Sequence, residues 1–127
     1  MAVQFNHTIV HVRDKQESAR FLTELLGLDE PTPYGPFLEV GLGNGVSLDF
    51  MDDEGTFQAQ HYAFLVGDDE FDIILGRIQD RELTYWADPG RSHPGEHNTN
   101  DGGRGLYWEG PDGHFLEIIT RPYGSGD

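Results

Sequence analysis

One spacing that occurs twice constrains this chain more than any single residue does. His7, Val12 and Asp14 stand in the pattern His-x4-Val-x-Asp, and His61, Val66 and Asp68 repeat it 54 residues later. Self-similarity at such a period marks a duplicated supersecondary unit. Each copy is a short β-branched and aromatic run that reads as a strand, followed by an acidic residue where a helix can begin. The first helix is expected to start near Asp14, with Glu17 completing a capping box, and to stop at Gly27. Its buried stripe is then Ala19, Leu22, Leu25 and Leu26. The second is expected to start at Asp68 or Asp69 and to bury Phe71, Ile74, Leu75 and Ile78, which share one helical face.

Further strands follow each helix. In the first half they are Phe37 to Leu42 and Val46 to Met51, joined by a Gly43-Asn44-Gly45 turn, with a weakly marked strand before them around Pro31 to Tyr34. In the second half they are Thr84 to Ala87, Gly105 to Glu109 and His114 to Arg121, the last two joined by Pro111-Asp112-Gly113. The fold class is therefore α+β, two βαβββ modules in tandem, with module boundaries at about 1–55 and 56–123 of a single domain spanning 1–127. The acid of an apolar-acid-apolar triplet closes each half: Asp49 lies 42 residues after His7, and Glu117 lies 56 after His61. The second copy's extra residues fall in Asp88 to Gly103, a Pro-, Gly- and His-containing stretch expected to be a functional flap.

Strand alternation turns this plan into chemistry. Asp49 and Glu117 point away from their apolar neighbours, so they share the face opposite the helix-packed core. By the same period His7, Ile9 and His11 share a face, as do His61, Ala63 and Leu65. Two equivalent strands thus offer a histidine each, and two more offer an acid each. With no cysteine in the chain, a metal must use His, Asp and Glu. Neutral imidazoles with carboxylates suit one divalent ion, Fe, Mn, Ni, Co or Zn, with positions left open for water or substrate. The alternative is satisfied strand histidines and solvent-facing acids. Four candidates in register across a repeat favour the metal.

The residues Phe5-Asn6-His7 through Asp14, the helix end at Leu25 to Leu28, the His61 to Phe64 strand and Gly110 to Glu117 together resemble the vicinal oxygen chelate superfamily. That superfamily includes glyoxalase I, fosfomycin-resistance enzymes, extradiol dioxygenases and bleomycin-binding proteins. The resemblance spans nearly the whole chain and implies a glyoxalase-like cupped sheet around a metal. It implies His7, His61 and Glu117 as ligands. Asp49 stands where glyoxalase I has a longer fourth ligand. It also implies a homodimer and a metal-dependent enzyme that chelates adjacent oxygens of a small-molecule substrate and stabilises the resulting oxyanion. Isomerase, lyase, dioxygenase and epoxide-opening chemistry all remain open, and the alternative is a non-catalytic drug-binding protein of the bleomycin-resistance kind.

Around the metal, His11, Glu39, Tyr107 and Arg104 are the candidate catalytic groups. His11 is read as a base or as an edge histidine, Tyr107 as an anion-binding or packing aromatic, and Arg104 as an anion-binding group or a surface ion pair. The Gly102 to Tyr107 strand is similar to its counterpart in the fosfomycin epoxide enzymes. His93 and His97 have the spacing of a helical metal pair, but Pro94 and Gly95 oppose a helix. Trp86 and Trp108 are read as platforms for a planar ligand or as core.

Composition excludes other classes. A net charge of −15 repels a phosphate backbone, so nucleic acid is not an expected partner. Neither a signal segment nor the roughly 18-residue apolar run of a membrane span is present, which reads as a soluble, cytoplasmic protein. Lys15 is the single lysine beside 23 acidic residues, and the resulting self-repulsion calls for counterions. A thermal unfolding midpoint that rises as salt goes from low to molar, where the screening length shrinks to ~3 Å, is the expected outcome. A flat or falling midpoint identifies an ordinary acidic protein.

Overall fold

The first repeat of the His-x4-Val-x-Asp spacing begins strand β1 (His7–Val12), which runs directly into helix α1 (Lys15–Leu26). This is seen in a computed structural model that describes residues 3–126. Asp14 caps the helix in extended backbone, its carboxylate accepting from the Gln16 and Glu17 N–H groups at 3.0 and 3.2 Å. At the other end Gly27 adopts φ 72°, a left-handed conformation that a side chain would strain, and its N–H reaches the Thr23 carbonyl. Strands β2 (Thr32–Tyr34), β3 (Phe37–Gly41) and β4 (Ser47–Asp52) complete the unit, in sheet order β1-β4-β3-β2. Strand β1 lies parallel to β4, and the remaining pairs are antiparallel.

A second unit, beginning after Gln58, repeats the plan. Strand β5 (His61–Leu65), helix α2 (Asp68–Asp80), β6 (Tyr85–Trp86), β7 (Gly105–Glu109) and β8 (Phe115–Ile119) form a sheet of order β5-β8-β7-β6, with β5 parallel to β8. At the start of α2 the Glu70 carboxylate accepts from the Gly67 N–H at 2.8 Å. The chain is thus an α+β fold of two tandem βαβββ modules.

Packing follows the pleat. In the first unit Val10, Val12, Leu38, Val40, Leu48 and Phe50 are buried, and α1 packs on β3 and β4. In the second, Leu106, Trp108, Leu116 and Ile118 are buried together with Phe71, Ile74 and Ile78 of α2. The stripe of α1 is centred on Leu22, so Ser18 goes under with Ala19 and Leu25 while Leu26 lies at the half-buried margin. Leu75 sits at the same kind of margin on α2. No helix among the described residues is long and apolar enough to cross a membrane.

Ile78 is fully buried on the core side of α2. Ile78→Ala is expected to cost about 2–5 kcal/mol through lost transfer energy and the cavity left behind. Urea denaturation checks this: the midpoint falls and the slope is unchanged.

Candidate metal centre

In the first unit the pairing register sets Ile9 opposite Asp49 and Asp49 opposite Glu39, so His7, Ile9, His11, Glu39 and Asp49 lie on the sheet face away from α1. Asp49 is only 5% exposed, and the Ser47 hydroxyl donates to it at 3.1 Å. Glu39 is half-buried beside it. His7 is exposed, and its Nδ1 lies 2.7 Å from the Asn6 side-chain oxygen. An oxygen there only accepts, so the proton sits on Nδ1 and the lone pair of a neutral ring sits on Nε2.

The second unit repeats this arrangement on β5 and β8, where Ala63 lies opposite Glu117. His61 Nδ1 contacts the Phe115 carbonyl at 3.0 Å, which again puts the proton on Nδ1. Its Nε2 then faces the Glu117 carboxylate at 3.0 Å. A neutral ring in this tautomer and an ionised carboxylate are both acceptors at that contact. Only an extra proton or a metal ion reconciles them, and Glu117 is 6% exposed, so few waters share the load. The donor set therefore fits a divalent cation. By contrast, buried His114 accepts from the Gln60 N–H on Nδ1, the opposite tautomer, and is a satisfied structural histidine.

Tyr107 lies directly across from Glu117. Burial, reinforced by the nearby Glu117 carboxylate, pushes the Tyr107 hydroxyl up to about 12, so it stays a neutral donor. Tyr107 also stacks with Phe115, centroids 5.3 Å apart, and with the His61 ring at 5.9 Å. Trp86 lies against Phe115 at 6.1 Å, and the Arg91 guanidinium sits over Phe115 at 4.5 Å and pairs with Glu109 at 2.9 Å. Phe115, which joins Tyr107 and Trp86 into this row, was missed in the sequence, although it is two residues before Glu117 on one strand and so shares its face.

Other candidates fall elsewhere. Arg104 belongs with α2: it donates to Asp72 at 2.7 Å, pairs with Asp68 at 3.4 Å and covers the Phe71 ring at 4.4 Å. Its alternation with Gly105 and Tyr107 puts it on the helix side, where it is an ion-pair residue rather than an anion-binding group beside Glu117. Trp108 is fully buried on that side and is core rather than a ligand platform. His97 meets Phe71 edge-on, and the His93 N–H is held by Asp88, so the two do not form a helical metal pair. The stretch from Asp88 to Gly103 is pinned rather than free. Asp88 accepts from the Ser92 and His93 N–H groups, and Pro94 bridges Trp86. Asn98 bridges Gly105 through two backbone bonds. Within neither unit, among the described residues, do three His, Asp or Glu side chains form a group that holds a metal.

No protein-family model matches the chain. A curated relative, glutathione transferase FosA of Serratia marcescens, is 30% identical over 125 residues, covering 93% of this chain and 81% of the relative. The chain belongs to the vicinal oxygen chelate superfamily and is an enzyme of its glyoxalase and dioxygenase group. Among solved structures it is similar to the oxidase ChaP-H1, with 64% identity, 97% and 99% of the two chains covered and a TM-score of 0.95. The oxidase ChaP-H2 matches at 61% identity over the full length of both chains, with a TM-score of 0.96.

The Arg104 pair makes a pH prediction. A hydrogen bond from Arg104 holds the Asp72 carboxyl below its usual value. A depressed folded value stabilises above the unfolded one, about 3.9, and that contribution disappears as pH falls through the folded value. Asp72→Asn is therefore expected to lower the thermal midpoint slightly at neutral pH. The gap to wild type should close below about pH 3.9; a gap that is constant with pH refutes the pairing.

Proposed function

We propose that the chain is a divalent-metal-dependent oxidase acting on a small molecule with adjacent oxygens. The proposed ligands are His7, His61 and Glu117, with Asp49 as a fourth donor. The observation that carries this reading is the His61 Nε2 to Glu117 contact, a lone pair facing a buried carboxylate with Nδ1 already committed to a carbonyl. His7 has the same tautomer at the equivalent position of the first module. What joins the two pairs is the sequence repeat, which gives each module a histidine strand beside an acid strand. The oxidase reading, over isomerase or epoxide-opening chemistry, rests on the 64% and 61% identity to two oxidases.

A bound ion would supply Lewis-acid stabilisation of charge on the substrate oxygens and, as iron, redox capacity toward dioxygen. The chain's own groups do the rest. Asn6 and the Phe115 carbonyl orient the two imidazoles, while Tyr107 orients Glu117 through a proton it does not give up. Phe115, Tyr107 and Trp86 exclude water and offer ring faces. His11 is the acid–base group. A homodimer, and modules 1–55 and 56–123 acting as one domain, belong to the same reading.

Elemental analysis of purified protein is expected to find one divalent ion per chain, lost in His7→Ala, His61→Ala and Glu117→Gln. Metal at about a hundredfold over its Kd should add about 2.7 kcal/mol to the stability of the metal-free protein. Substoichiometric metal that is unchanged in His7→Ala would overturn the proposed metal centre. Aerobic turnover of catechols by the Fe(II)-loaded protein, set against fosfomycin modification and glutathione-dependent conversion of methylglyoxal, separates the chemistries.

A further inference from the structure

His11 has a built partner that the metal reading does not use. Its Nδ1 lies 3.0 Å from Asp53 Oδ2, and the ring packs against Phe57 with centroids 6.5 Å apart. Asp53 is itself fixed. Its N–H continues the β1–β4 ladder to the Val12 carbonyl at 2.8 Å, and its Oδ1 accepts from the Gly55 N–H at 2.8 Å. Arg13 then ties the loop down, donating to the Asp53 carbonyl at 2.8 Å and to the Gly55 carbonyl, with its guanidinium 4.7 Å from the Phe57 ring centroid. One carboxylate oxygen is thus spent on holding the loop while the other meets the imidazole.

A base whose second nitrogen is held by a fixed carboxylate is a recurring device of proton transfer. The carboxylate selects the Nδ1–H tautomer, leaves Nε2 as the basic atom and stabilises the imidazolium formed when Nε2 takes a proton. His11 lies on the same sheet face as His7 and Asp49, with Met51 opposite it and Asp49 one diagonal step away. The ionisable groups on this face of β1, β4 and β3 are His7, Asp49 and Glu39, with Arg13 and Asp53 just beyond the ends of β1 and β4.

We propose that His11 and Asp53 form a proton-transfer dyad for the metal-bound substrate, which rests on the metal reading above. A substrate hydroxyl loses its proton to His11 Nε2: the O–H bond breaks, the electron pair stays on oxygen, and an Nε2–H bond forms. The imidazolium returns that proton later in the turnover. Asp53 is the positioning residue.

Nitrogen-15 spectra of histidine-labelled, Zn(II)-loaded protein in alkaline buffer test this with 4-nitrocatechol as the chelating probe. Wild type is expected to show His11 as a single Nδ1–H tautomer, with Nε2 moving toward the imidazolium position as the probe binds. Asp53→Ala should lose the single tautomer and most of that movement. Asp53→Asn, whose amide oxygen still accepts from Nδ1, should keep the tautomer, and unchanged signals from the other histidines verify its fold. An Nε2–H tautomer in wild type overturns the dyad. So does an Nε2 signal that stays still while the probe's absorbance shows it bound, the result expected of a purely structural pair. Failure of the metal reading is distinguishable, because it leaves the probe unbound and the zinc content unchanged in His7→Ala.

Discussion

Parallel pairing of the first strand of each module with its last is the constraint on which the rest of the structure depends. The helix and two strands between them make that pairing possible, because parallel strands need a long crossover. Its register is set by burial: a slip of one residue would turn Leu48 and Phe50, or Leu116 and Ile118, toward the open face and drive the acids into the core. The same register puts Asp49 opposite Ile9 and Glu117 opposite Ala63, two residues along each ladder from the histidine and so on its face. The hydrophobic core therefore aligns the polar groups, at no separate cost in order.

Two nearly buried carboxylates in a chain of net charge −15 are a strong electrostatic demand. Asp49 meets part of it with the Ser47 hydroxyl, while Glu117 has Tyr107 across the ladder and the lone pair of His61 facing it. Neither hydroxyl carries a positive charge, and the arginine nearest in sequence to Tyr107 is committed to α2. Acceptors in excess are what a divalent ion needs, and this links the electrostatics of the fold to its chemistry.

The stretch between β6 and β7 shows how a loop without periodicity gains order. The Asp88 carboxylate gathers successive N–H groups, Pro94 and Asn98 borrow strand partners, and Asp101 accepts from the Gly124 and Gly126 N–H groups of the C-terminal segment. The result delivers Arg91 over Phe115, on the face that carries Glu117. Three residues in the described chain hold positive φ without being glycine, and two of them, Arg91 and Asp101, lie in this stretch, so its shape is imposed by these contacts.

Periodicity is a local property, and what it governs was legible in the residues: both helices, their caps at Asp14 and Gly27, the βαβββ succession of elements in each module, and the face shared by His7, His11 and Asp49 or by His61 and Glu117. Asp53 was within reach too, since it continues the alternation of Asp49 and Met51, but β4 was expected to end two residues short of it. Partnerships across the chain were not legible. That Arg104 turns to Asp72, that Trp108 is core while Trp86 is not, and that one histidine keeps its proton on Nδ1 while another accepts there, depend on groups far apart in sequence, 32 residues for Arg104 and Asp72 and 54 for each histidine and its Nδ1 partner. The sequence by itself determined which residue types sit on which face, because a strand's two-residue period needs no partner. Only the tertiary structure decided which of them touch, because a hydrogen bond is fixed by the position of its partner.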